Sequence, residues 1–149
     1  IFKQADFMSS GAVQIDVELG GYCDSLSCLH AIEHFGLGRY GDPLDPKGYE
    51  LGIENLARLL KMGGILYLST PVGQERVEFN ANWVFDPRRI IFCAKANGLE
   101  VQTLTVVSDE GAPSEVSLSG DALDKLVTSR YNLGIFVFKK IPSGDGINV

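Results

Sequence analysis

Between Asp45 and Ser69 the apolar residues change period, and that change constrains the fold more than any other feature of the chain. Ile53, Leu56, Ala57 and Leu60 recur at i, i+3, i+4 and i+7, which predicts a helix from about Pro46 to Lys61 with one apolar stripe. Asp45 is placed to cap it, Pro46 stands at the first helical position, and Gly63-Gly64 is read as its end. Ile65 to Ser69 is then nearly apolar throughout, as in a strand covered on both faces, and Thr70-Pro71 is read as its stop.

The same signals recur along the chain. Ser25 to Leu29 reads as a short buried strand that passes at His30 into a helical turn. Gly36 to Gly41, with three glycines in six residues, must be a shaped loop. Asp86-Pro87 opens a second helix, with Ile90, Ile91 and Ala94 facing inward and Gly98 at its close. Leu99 to Val107 is a strand, Ser108 to Ser119 a polar loop, Asp121 to Ser129 a short helix and Gly134 to Lys139 a last strand. Strands alternating with helices predict an α/β fold with a mostly parallel sheet and flanking helices. Such sheets bind ligands at the carboxyl ends of their strands, here near Leu29 to Glu33 and Ser69 to Val72.

Length and charge narrow the field. The 149 residues suffice for one domain, read as 1–141 with a tail at 142–149. With 13 basic against 19 acidic residues and no basic run longer than two, the chain lacks the face that nucleic acid requires. No apolar stretch approaches the roughly 20 residues that cross a bilayer. Cys23, Cys28 and Cys93 form no CxxC pair and read as free thiols of a reducing, cytoplasmic compartment. The start at Ile1, without a signal pattern, reads as that of a fragment or a processed chain.

The strings CDSLSCLHAIEH, ENLARLLKMGGILYLSTPVG and VFDPRRIIFCAKANGLEV resemble, in order and spacing, the later motifs of class I S-adenosylmethionine-dependent methyltransferases. Asp24 matches the Asp that opens the fourth strand, Glu33-His34 the acidic-His pair after it, and Leu56 to Leu66 the lead into the fifth. HFGLGRYGDPLDP and FNANWVF resemble an uncharacterised, methyltransferase-like domain of unknown function of nematode type. The resemblance implies a Rossmann-like fold that is N-terminally truncated. The glycine-rich cofactor turn of these enzymes is not in this chain, and Gly36 to Gly41 follows a helical turn and cannot replace it. It also implies S-adenosylmethionine as cofactor and methyl transfer to a small-molecule or sugar-like acceptor. The competing reading is a noncatalytic Rossmann-like module or pseudoenzyme, whose exposed sheet edge would favour homo-oligomers.

His30, Glu33 and His34 are the candidate catalytic residues. At i, i+3 and i+4 on a helix they would share one face. That arrangement suits a divalent metal and resembles the Glu-x-x-Glu-His site of small-RNA methyltransferases, but Asn82 stands where a further ligand would be expected and no metal is assigned. Either imidazole is read as a general base, or as a hydrogen-bonded residue at a helix start. Asp6 resembles the acidic residue that contacts the adenine amino group, with Cys28, Leu29 and His30 completing the cofactor side. Its alternative is a surface-turn carboxylate, which gains weight if Gln14 to Val17 is the neighbouring strand. Arg39, Tyr40 and Asp42 are read as acceptor-binding, the guanidinium fork holding polar groups, unless an Arg-Asp pair merely pins the loop. Asn80, Asn82 and Trp83 are placed in the same pocket, with Trp83 equally suited to the core.

Overall fold

In the computed structural model of the protein, residues 6–9 and 21–142 are described. Along the chain, β1 (Cys23–Leu29) leads through a 3-10 turn at Ile32–His34 and the glycine loop to α1 (Gly48–Leu59), and β2 (Leu60–Val72) follows directly. A small ribbon of β3 (Arg76–Val77) and β4 (Trp83–Val84) precedes α2 (Pro87–Ala96). The chain continues through β5 (Leu99–Val107), β6 (Pro113–Glu115), α3 (Gly120–Thr128) and β7 (Asn132–Lys140).

The main sheet has the order β1-β2-β7-β5-β6. β1 and β2 pair in parallel, and β7 runs antiparallel to both β2 and β5. β1, β2 and β5 therefore share one direction, while β7 is threaded in reverse between two of them. Only the β1-β2 ladder is parallel, and β6 closes the far edge antiparallel to β5.

Alternation along β7 shows which face is the core. Asn132, Gly134, Phe136 and Phe138 are buried, while Leu133, Ile135 and Val137 between them are half-buried. Phe136 and Phe138 stack at 5.6 Å and join Leu66 and Leu68 of β2, Ile53 and Leu56 of α1, and Ile90 and Ala94 of α2. Each such buried apolar side chain contributes about 1.5–3 kcal/mol relative to exposure, so this one cluster supplies most of the drive to fold. On the alternate face of β2, Tyr67 is exposed.

Two element boundaries differ from the sequence expectation. α1 begins at Gly48, because Asp45 accepts from the Lys47 amide at 2.9 Å and forms a turn ahead of the helix instead of capping it. It ends at Leu59, so Gly63-Gly64 lies inside β2, where the pairing with β1 slips between Cys23-Leu60 and Ser25-Ile65. The positive φ of Gly63, 79°, serves that irregularity and not a helix cap. Thr70-Pro71 does not stop the strand either. The Pro71 carbonyl accepts from the Phe85 amide at 3.0 Å, so its nitrogen faces the same side, beyond the end of β1, where no ladder bond is lost.

α2 starts as its sequence indicates, with the Asp86 carboxylate accepting from the Arg88 amide at 2.9 Å and Pro87 in the first turn. The expected loop after β5 contains β6, and α3 begins one residue earlier than Asp121. Among the described residues no helix is long and apolar enough to cross a membrane.

Candidate functional site

β1 ends by turning sharply. His30 adopts φ 50°, and its amide donates to the Ser69 carbonyl at 3.0 Å and approaches Ser69 Oγ at 3.2 Å, which fixes the bend against β2. The left-handed residue breaks any helix before it starts, so His30, Glu33 and His34 do not share a helical face. Glu33 turns inward with its side chain 3% exposed, while His30 and His34 remain 49% and 23% exposed.

The turn nevertheless brings the three together. His30 Nδ1 lies 3.1 Å from Glu33 Oε1, and His34 Nε2 lies 4.0 Å from the same oxygen. An ionised carboxylate can only accept, so in the neutral form of the ring His30 Nδ1 donates and Nε2 keeps the lone pair. His34 Nδ1 donates to the Ala81 carbonyl at 2.9 Å. Glu33 Oε2 is buried without a hydrogen-bond partner.

Asp42 organises the glycine loop. Its carboxylate accepts from the amides of Gly36 and Gly38, each at 3.1 Å, and of Tyr40 at 3.0 Å. Burial alone would raise its pKa, but these amides outweigh that and hold it below the ordinary carboxylate value. Gly36 is required here: at φ 77° a Cβ would fall 1.8 Å from the Asp45 carbonyl oxygen. Arg39 does not pair with Asp42. Its guanidinium donates to the Ala81 carbonyl at 3.0 Å and lies 5.6 Å from the Tyr40 ring centre, while Tyr40 meets His34 edge-on at 5.7 Å.

Asp6 accepts from Ser9 Oγ at 2.7 Å and the Met8 amide at 2.9 Å, and these two bonds lower its pKa. Asn55 of α1, buried among apolar neighbours, holds this segment by donating to the carbonyls of Phe7 and Ser9 at 2.8 and 3.3 Å. Sequence reading missed Asn55, although a polar residue beside the apolar stripe of an otherwise amphipathic helix is the signal that could have found it. Gln14 to Val17 lies outside the described residues.

A cavity of about 440 Å³ opens just beyond the carboxyl end of β1, which closes at Leu29. Asp6, His30, His34, Tyr40 and Asp42 of the expected residues line it, joined by Phe7, Met8, Ala31 and Phe35. Cys28 is buried, and burial followed by the charge of Glu33 pushes its thiol up to about 11. Leu29 is 58% exposed outside that lining. Arg39, Asn80, Asn82 and Trp83 also lie outside it. Asn80 takes φ 51° in the β3-β4 turn, and Asn82 donates to the Trp83 carbonyl at 2.7 Å. Trp83 stacks on Phe85 at 5.7 Å, leans on Tyr49 at 5.9 Å and packs against the core. Among the described residues no group of three or more His, Cys, Asp or Glu side chains is arranged to hold a metal ion.

A mixed α/β sheet with its reversed strand inside the order, and a cavity beyond the carboxyl end of β1, accord with a class I methyltransferase-like fold, which the similar solved structures share. Within that class the chain belongs to the family described as Caenorhabditis protein of unknown function, DUF268, whose model matches residues 4–141. No curated protein matches the sequence.

Three solved structures are similar in fold. The [4+2]-cyclase SpnF superposes with a TM-score of 0.60 at 14% identity, over 94% of this chain and 56% of that one. A SAM-dependent methyltransferase from Methanosarcina mazei gives 0.54 at 13% identity, over 94% and 66%. Phosphoethanolamine N-methyltransferase 2 from Haemonchus contortus gives 0.51 at 14% identity, over 80% and 34%. The chain thus spans between about a third and two thirds of the length of these structures.

Proposed function

We propose that this chain forms the acceptor-side part of an S-adenosylmethionine-dependent methyltransferase acting on a small-molecule acceptor. The observation that carries this reading is the His30-Glu33 pair beside a cavity at the end of β1. The residues present fit one side of the cofactor. Asp6 offers an ionised carboxylate on the cavity wall for the adenine amino group, and His30, directly after β1, stands on the same wall, with Cys28 and Leu29 leading into it. When bound, the cofactor supplies an electrophilic methyl group.

The remaining chemistry belongs to side chains of this chain. Glu33 holds His30 in the tautomer that leaves Nε2 free to take a proton from an acceptor hydroxyl or amine, the general-base role. Tyr40 and Asp42 present the acceptor wall, and Arg39 and His34 hold that wall in place through the shared Ala81 carbonyl. Asn80, Asn82 and Trp83 support it from the β3-β4 ribbon. Calorimetry with S-adenosylhomocysteine tests the reading, on this chain and on the longest natural protein that contains it. Binding to either supports it, and heat from neither sinks it.

A second reading is favoured by a specific observation. SpnF is a [4+2]-cyclase on the same fold, so the fold does not dictate methyl transfer. Among the described residues β1 pairs on one side only, with β2, which would leave a strand edge for a second chain. On this reading the domain is a noncatalytic module that self-associates, and sedimentation showing a monomer at high concentration removes it.

A further inference from the structure

We infer that α2 is the centre of an interface between two copies of this chain, in which Phe92 of each copy seats in the groove between α1 and α2 of the other. This surface is distinct from the edge of β1, and nothing in it depends on the proposed reaction.

Phe92 is the one large apolar side chain exposed on a helix among the described residues, 75% open on α2. One exposed ring is ordinary in itself. What marks this one is the concave surface beside it. Phe92 forms part of the wall of a groove of about 460 Å³, which Leu51 lines from α1 and Cys93 and Ala96 line from α2. Knob and hole thus adjoin on one surface, and a two-fold axis beside Phe92 seats each ring in the other copy's groove with a single operation. Aromatic rings are enriched at the buried centres of such interfaces.

Charge favours a second copy over an unrelated partner. α2 carries Arg88, Arg89 and Lys95 and no acid, whereas α1 brings Glu50 and Glu54 to the groove. Arg88 is committed to Asp86 and Asp124, and Arg89 to Glu75, so Lys95 is the cation of α2 left without an ion pair among the described residues. On α1, Glu54 lies 3.6 Å from Arg58, while Glu50 accepts from the neighbouring Tyr49 hydroxyl and meets no cation among the described residues. Asp45 and Lys47 also line the groove and offset each other. Both glutamates act on it, since after burial their charges are what raise the Cys93 thiol.

Helix direction fits the same pairing. β1, β2 and β5 run the same way, so α1 and α2, each returning between two of them, run parallel, and the Arg89 guanidinium 3.4 Å from the Tyr49 hydroxyl sets their first turns level. The two-fold axis reverses the helices of the second copy. Lys95, in the last turn of α2, then falls opposite the first turn of the other copy's α1, which is where Glu50 stands.

Sedimentation velocity of the natural protein tests this, with the melting temperature confirming that each variant folds. A concentration-dependent dimer is expected. Phe92→Ser, a change at an exposed position that should leave the melting temperature unchanged, is expected to abolish it. Lys95→Glu is expected to weaken the dimer by about tenfold at low salt, and adding Glu50→Lys in the same chain to restore it to within about threefold, because the symmetric contact is rebuilt with its signs exchanged. A monomer at every concentration overturns the inference. So does a dimer that survives Phe92→Ser, which would place the association on the β1 edge or another face, and so does a double variant no tighter than Lys95→Glu alone.

Discussion

His30 Nδ1 stands 3.1 Å from Glu33 Oε1, and that one contact decides which nitrogen of the ring meets the cavity. Because Glu33 only accepts, the neutral ring carries its proton on Nδ1. In Glu33→Gln the side-chain amide both donates and accepts, so the tautomer is no longer imposed. Long-range ¹H-¹⁵N NMR should show a single Nδ1-protonated tautomer in the natural chain and a mixture in the variant. Stability should hold or rise by about 1 kcal/mol, because a buried carboxylate with an unpartnered oxygen is neutralised. A clear loss of melting temperature would mean that the charge itself holds the turn.

Asp42 accepts from three backbone amides of the glycine loop, which makes the loop sensitive to acid. Its folded pKa lies below the ordinary 3.8, so its contribution is complete above that value and drains as pH falls through the lowered folded value. Asp42→Ala should remove it at every pH, costing about 1–2 kcal/mol, the usual range for a few partly exposed charge-assisted bonds. Urea melts at pH 7 and at pH 3 check both statements. The gap between natural chain and variant should be present at pH 7 and should narrow at pH 3.

What the sequence revealed and what it concealed divide along local and distant causes. α2 was legible because Asp86, Pro87 and Gly98 act on their own neighbours. The end of α1 was not, because it is set by the Lys140 side chain, 83 and 80 positions from the carbonyls it contacts, while Gly63 imitated a cap in the wrong place. β6 was missed because Pro113, Ser114 and Glu115 are all exposed and carry no apolar alternation, and its pairing with β5 is decided in three dimensions. In the site, the spacing of His30, Glu33 and His34 correctly announced neighbours, though a 3-10 turn after a left-handed residue delivers them. Trp83 was ambiguous in sequence, and only the stack of Tyr49, Trp83 and Phe85 shows where its ring goes.

The cysteines should be unequal. Burial, then the charge of Glu33, pushes the Cys28 thiol up to about 11, and burial, then Glu50 and Glu54, pushes Cys93 up to about 11. Since only the thiolate reacts, both should resist Ellman's reagent at pH 8 in the folded chain. Cys23, half-buried at the start of β1, should account for any fast reaction, and all three should react in denaturant. Rapid native modification of Cys28 would show that the carboxyl end of β1 opens on the timescale of the assay.

Lys140 ends β7 over the C-terminus of α1, and its ammonium donates to the carbonyls of Ala57 and Leu60, both at 2.7 Å. Burial lowers its pKa, yet it sits where the helix dipole and unpaired carbonyls favour a cation. Lys140→Met keeps the aliphatic stem but leaves those carbonyls without a side-chain donor, and Leu60 N–H alone then closes the helix on Ala57. Charged hydrogen bonds of this kind are worth about 1.5–3 kcal/mol, less the desolvation of the ammonium, so a loss of about 1–2 kcal/mol is expected in urea melts. Amide exchange locates the loss: Leu59 and Leu60, at the junction of α1 and β2, should lose protection before the amides of α2 do. A uniform loss across both helices would show that Lys140 supports the sheet and not the helix end.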